Sequence, residues 1–492
     1  MKSIHVWMAV AVVLAVAIYA TYTVSGRDDP GLWLKDFEEL KGELAAGYAN
    51  LEWTSKHHGL DLSALGRDTE HKLRNTSSRR NARKIIQHFL ESFHDPHLRA
   101  EKSDPPGEDR SSGDGWTGPP GTASSRDALD AFGYRKGKYD FGVDFPAIDG
   151  FEELDSGENP FPAGVLTLAG GRKLGVIRIK YFGEDVYYDA AAETWGEFKK
   201  SVEGTCDGEC WWAFTLQVRT RLMEWLQARL VDLESAGANA VLVDITGNGG
   251  GSEWCEDVAK VFTTKRLLPR GGAFVKHAHW VRQIEHEIGW IEKDLEKEEL
   301  PPDLQDILHE CLADHEQLLE EVRAGCDASE LWKMSGAHLD CDRLASDPHG
   351  GYEIPEGAAE HVAALSSEQI PFTPSRHPGF VGLYDGPLFV AIDGHTASAS
   401  EQFATLLQYN DAATILGEKS FGAGCGYTSG GIKLYLKNVQ LRVWMSDCVR
   451  LRADGENELA GIEPDIAGWD AGDTGKTRAQ KLIEALDQLD TW

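Results

Sequence analysis

The sequence predicts an α/β fold with a mixed βαβ core, and three observations carry that prediction. Residues 174–182 (LGVIRIKYF), 240–244 (AVLVD) and 387–393 (PLFVAID) are short, nearly unbroken apolar runs, the pattern of strands buried on both faces. Between the first two, Phe214, Val218, Leu222, Trp225, Leu226, Leu230 and Leu233 recur at three- and four-residue steps up to Ser235-Ala236-Gly237. That is one amphipathic helix, and strand, helix, strand in this order reads as a crossover connection in a sheet. The second and third runs each end in a turn of small residues, Gly247–Gly251 and Gly394–Ser400.

The remaining elements follow in chain order. Lys2 precedes an apolar run over residues 6–20, so residues 1–26 are expected to be a secretory signal or a signal anchor, with 6–24 as the membrane-held part. Trp33, Phe37, Leu40, Leu44, Tyr48 and Leu51 form an apolar helical stripe, and Ile85, Ile86, Phe89 and Leu90 form a second over about 81–93. Residues 31–97 therefore read as a helical cap. The stretch 98–165 opens with a Gly/Pro/Ser/Asp-rich loop and reads as linker and irregular chain. Core segments are expected at 166–278 and 380–470. An acidic helical hairpin broken at Pro301-Pro302 is expected as an insertion at 279–330, placed as a cover over the cleft. Residues 471–492 end the chain as a helix.

Composition narrows the function classes. The 492 residues carry 49 Lys+Arg against 80 Asp+Glu, a formal net charge of −31, which repels phosphate backbones. Arg79, Arg80, Arg83 and Lys84 read as one solvated helix face, so no nucleic-acid partner is expected, and membrane contact only through the N-terminal run. Eight cysteines, an even number in a chain with a leader, favour disulfides. Cys206 and Cys210 are spaced by three residues, and no second Cys/His pair follows at ligand spacing. No metal and no cofactor are expected.

Two segments carry chemistry. In Gly394-His395-Thr396-Ala397-Ser398-Ala399-Ser400-Glu401, a small-residue turn leads from a strand into a helix. Such a turn exposes a serine hydroxyl beside the free N–H groups of a helix N-terminus, which suit a developing oxyanion; helix capping is the competing reading. In Asp244-Ile245-Thr246-Gly247-Asn248-Gly249-Gly250-Gly251, the glycines let backbone approach a neighbour closely, and no Lys-Ser/Thr follows to make a phosphate loop.

These motifs, with Leu416-Gly417-Glu418-Lys419-Ser420-Phe421-Gly422-Ala423-Gly424 and Gly461-Ile462-Glu463-Pro464-Asp465 in the same order, resemble the tail-specific (C-terminal processing) serine peptidases. The resemblance implies a crotonase-like mixed βαβ catalytic core, peptide or protein substrates and a nucleophile at Ser398. The chain departs from the family pattern at several points. Thr396 stands for the first serine of the nucleophile motif, and Thr246 stands where the family has an arginine. Ala423 occupies the position of the basic lysine, and Tyr427 that of the usual glutamine. Lys419 lies four residues too early to replace the missing base.

With no lysine, the chain looks more like the family's tricorn-like Ser-His-Glu branch. There Asp95-Pro96-His97 matches the histidine motif, making His97 the expected general base with His94 the weaker alternative. Glu458, three residues before Gly461, is the expected orienting acid. Ala399 with Gly249 or Gly250 would then form the oxyanion hole, and a Cys425–Cys448 disulfide would brace this wall. The expected activity is that of an exported serine endopeptidase, periplasmic, in the cell envelope or extracellular. The alternatives are an esterase-like acyl hydrolase, or a non-catalytic binder of hydrophobic ligands or peptides on the same fold.

Overall fold

The computed structural model describes residues 29–103, 118–269, 271–335, 339–373, 378–470 and 472–489. The leader expected at 1–26 lies outside them. Among the described residues no helix is long and apolar enough to cross a membrane. The chain forms two compact units: 1–106 with 327–341 and 433–445, and 107–326 with 342–432 and 446–492.

The larger unit is built on a seven-stranded mixed sheet. Its strands are β2 (Phe151–Leu154), β3 (Ala163–Thr167), β4 (Lys173–Arg178), β5 (Ala240–Asp244), β8 (Leu388–Ile392), β9 (Thr414–Gly417) and β13 (Ile466–Ala467). They lie in the order β13-β9-β8-β5-β4-β3-β2. The run from β13 to β4 is parallel, while β3 and β2 add antiparallel at one edge. The apolar runs are continuous because both faces are covered. Ile177, Val241, Val243, Val390 and Ile392 pack under helices Gly208–Ser235, Trp254–Val261 and Ala399–Tyr409. Their alternates, Val176, Ala240, Leu242, Phe389 and Ala391, pack with Leu482 and Leu486 of the C-terminal helix Gly475–Asp487. The period-two alternation of strand side chains thus divides one apolar sequence between two cores.

Two features of this unit differ from the sequence expectation. Within the stretch read as irregular, β2 and β3 extend the sheet. β2 has the sequence FEEL and is only partly buried, and β3 (AGVLT) carries a glycine, so neither has the periodicity that marks a strand. Two cysteines, Cys255 and Cys311, are buried thiols outside any disulfide, while Cys206–Cys210 and Cys425–Cys448 are disulfides. Cys255 sits in a fully buried helix and acts there as a small apolar residue.

A second, three-stranded sheet in the same unit joins β12 (Cys448–Val449), β6 (Ala273–Val275) and β7 (Leu344–Ser346), all antiparallel. The expected hairpin is the helix pair Ala278–Leu295 and Pro302–Ala324, whose Ile291, Leu304 and Leu308 share a core with Val362, Ile370 and Phe372.

The smaller unit holds helices Pro30–Gly47, Leu51–His57, Leu62–Arg74 and Arg79–Glu91. It also holds a three-stranded sheet in the order β1 (Arg99–Lys102), β11 (Leu441–Met445), β10 (Ile432–Leu436). All six residues of the first apolar stripe are buried. Arg83 is not part of a solvated face, as its Nε and Nη2 donate to Val439 O and Gln440 Oε1 and tie the helix to the turn between β10 and β11.

Candidate active site

Ser398 lies at the end of the turn after β8 and is the N-cap of helix Ala399–Tyr409. Its backbone sits at φ 56°, ψ −119°, a region that a side chain with Cβ rarely adopts and that costs about 1–3 kcal/mol. The surrounding contacts hold it there. Glu401 Oε2 accepts the Ser398 N–H at 2.8 Å, closing a capping box, and the Ser398 carbonyl accepts from Gln402 N–H and from Arg450 Nη2, each at 3.1 Å. One strained turn thus caps the helix and sets the Ser398 hydroxyl at its N-terminus.

The turn is anchored from the strand side as well. Thr396 Oγ1 donates to Ile245 O and accepts from Asp393 N–H. The Asp393 carboxylate accepts the N–H groups of Gly247 and His395 and pairs with Arg478 at 2.9 Å. Burial pushes the Asp393 carboxyl up, but these donors outweigh it and hold it below the usual carboxylate range.

The glycine turn after β5 packs directly on this serine. A Cβ on Gly250 would lie 2.8 Å from Ala397 O and 2.9 Å from both Ala399 N and Ser398 Cβ, and φ there is +107°. Gly250 N–H donates to Asn248 Oδ1 at 3.0 Å, so of the two glycines Gly249 carries the oxyanion expectation. Gly250→Ala is expected to displace the serine turn and lower peptidase activity by about 100-fold or more, comparable to losing an oxyanion donor. Gly249→Ala, which meets nothing within 4 Å, is expected to leave the melting temperature unchanged. Thermal melts and initial rates on the two variants check this.

Asp244, at the head of the glycine motif, is fully buried and accepts from Thr246 N–H and Oγ1, Gly142 N–H and Val143 N–H. Its cation is Arg178, which reaches it from the neighbouring β4 at 3.1 Å. Thr246, for its part, donates its N–H and hydroxyl to the same carboxylate.

The loop after β9 wraps around the Glu401 carboxylate. Glu401 accepts the N–H groups of Gly422, Ala423 and Gly424 at 2.7, 2.9 and 3.2 Å, and the Ser420 hydroxyl as well. Burial, with the nearby negative charge of Glu458, raises the Glu401 pKa, and the donors only partly offset it. Ala423 is itself buried. Lys419 pairs with Glu463 at 2.6 Å and is half exposed. The Cys425–Cys448 disulfide ties this loop to β12.

Arg450, which the sequence reading did not single out, links these parts. Besides Ser398 O, its guanidinium donates to Gly424 O at 2.9 Å, Gln402 Oε1 at 3.0 Å and Glu458 Oε2 at 2.8 Å. Glu458 is buried, and the pair uses one of its two oxygens. The structure thus brings Ser398, Ala399, the Gly249-Gly250 turn, Glu401 and Glu458 into one region of the larger unit.

His97 belongs to the smaller unit. Its turn is fixed by the buried Asp95, whose carboxylate accepts His97 N–H at 2.8 Å, Tyr48 OH at 3.0 Å and Asn50 Nδ2 at 3.3 Å. His97 Nδ1 lies 3.9 Å from Asp95 Oδ1, and the side chain is 17% exposed. His94 is at φ 54°, its ring 4.7 Å from that of His58.

A strained serine at a helix N-terminus, set against a glycine turn on a mixed α/β sheet, is the arrangement of a serine hydrolase. Residues 173–467, more than half of the chain, match the model of peptidase family S41. The chain belongs to that family and is a serine peptidase. Among solved structures, mature CPAF is 15% identical with a TM-score of 0.56, over 94% of this chain and 97% of that one. Mature CPAF complexed with lactacystin gives 15% and 0.53, over 93% and 97%. At that identity the likeness is one of fold. No curated protein matches the sequence.

Proposed function

We propose that this peptidase is an exported endopeptidase in which Ser398 attacks the peptide carbonyl and His97 takes the serine proton. His97 then returns that proton to the leaving amine, and Glu458 holds the imidazole in the required tautomer. Ala399 and Gly249 N–H groups receive the oxyanion. The observation that carries the reading is the backbone of Ser398, strained at φ 56° against Gly250 at the start of a helix. The absence of a lysine at Ala423 and the surface pairing of Lys419 favour a histidine base. The disulfides and the apolar leader sequence support export.

The base assignment is tested by comparing His97→Ala with Lys419→Ala on a proteome-derived peptide library read by mass spectrometry. Loss of cleavage in the first, by about 10³-fold or more, with less than about twofold change in the second is the expected result. The opposite order would assign the base to Lys419.

A further inference from the structure

We propose that Glu287, His315 and His349 form a binding site for a divalent transition metal of the zinc class, which staples the helical hairpin to the small sheet. Glu287 stands on helix Ala278–Leu295, His315 on helix Pro302–Ala324, and His349 three residues beyond β7. One ligand atom from each, a carboxylate oxygen and two imidazole nitrogens, lies within 4.8 Å of the others. Glu287 Oε2 is 3.7 Å from His315 Nε2 and 3.4 Å from His349 Nε2. A tetrahedral centre with bonds near 2.0–2.1 Å spaces its ligands by about 3.3 Å, so only small side-chain shifts are needed.

The atoms facing the centre meet one another only at long ion-pair distances. Glu287 is 4% and His315 1% exposed, and among the described residues neither Glu287 Oε2 nor His315 Nε2 has a hydrogen-bond partner. Holding a buried carboxylate oxygen and an imidazole nitrogen by such long contacts, without a hydrogen bond, is costly in a protein interior. A cation between them would satisfy both at once.

The outer contacts are those that orient metal ligands. His315 Nδ1 meets Cys311 O at 2.8 Å, which fixes the tautomer with a bare Nε2 pointing inward. His349 Nδ1 hydrogen-bonds the Asp347 carboxylate. The second Glu287 oxygen accepts Gln283 Nε2 at 2.9 Å. Each of the three ligands is therefore held from behind by a separate group. Two imidazoles and one carboxylate suit zinc over magnesium or calcium. Three protein ligands leave one position for water on the side of His349, which is 17% exposed. The site shares no residue with the peptidase machinery around Ser398, so its role is to hold the hairpin in place.

The test is a cobalt(II) titration of the full chain after treatment with a chelator, followed by zinc competition. The expected result is saturation at one equivalent, with the strong visible absorption of four-coordinate cobalt, displaced by zinc. His315→Ala and His349→Ala should each weaken cobalt binding by 100-fold or more, while Ser398→Ala should bind as the wild type does. Zinc should raise the melting temperature of the wild type and not that of His315→Ala. Absence of stoichiometric binding by the wild type would overturn the site, and would leave His349 as an ion-pair bridge between Asp347 and Glu287. Undiminished binding by a folded His315→Ala, checked by near-ultraviolet circular dichroism, would overturn it equally.

Discussion

Ser398→Ala is expected to reduce kcat by about 10⁴–10⁶-fold with little change in stability. The size follows from what the serine does. If it is the nucleophile, its removal leaves only binding and oxyanion stabilisation, a small residue of the full rate enhancement. Alanine keeps the Cβ that the strained turn already accommodates, and the N–H to Glu401 and the carbonyl to Arg450 belong to the backbone. The hydroxyl's share of the capping box is lost, a cost of about 1 kcal/mol. Single-turnover assays on a cleaved peptide, with a thermal melt beside them, check both halves. A fall of less than tenfold would mean that another group attacks the carbonyl. If His97 is the base, the losses combined with His97→Ala should not multiply, because groups that act in one proton transfer fail together. Multiplying losses would mean that the two residues serve separate steps.

The parts of this molecule that were legible in the sequence are those whose signal is local. Residues 240–244 announce a buried strand because both faces are apolar, and the Ser398 turn stands out because small residues separate a strand from a helix stripe. The edge strand β2 was illegible because half of FEEL faces water and its pairing is settled by β3, not by its own pattern. Arg178 could not be named as the partner of Asp244, since the contact runs between adjacent strands 66 residues apart. The Glu287, His315 and His349 cluster has no short spacing at all; two packed helices and the chain after β7 bring it together. Arg450 was one charge among many in an acidic chain, and only the fold shows four acceptors converging on it.

That convergence gives the second large effect. Arg450→Met is expected to destabilise the protein by about 3–5 kcal/mol, the cost of leaving a buried carboxylate without its cation. The Glu458 side chain is 2% exposed, so water cannot take over the role. Activity should fall as well, because the guanidinium also holds the carbonyls of Ser398 and Gly424. The single variant does not separate a structural Glu458 from one that orients the base, but the double variant Arg450→Met/Glu458→Leu does. Replacing a buried ion pair with apolar side chains of similar size is often neutral or stabilising, so the melting temperature should largely recover. If Glu458 only pairs with Arg450, kcat/KM should recover with it. If Glu458 orients His97, the double variant should be as stable as the wild type and still impaired by about 10²-fold or more, with kcat carrying the loss rather than KM. Stability restored without catalysis is the outcome the proposed triad predicts; the Arg450 bond occupies only one of the two Glu458 carboxylate oxygens.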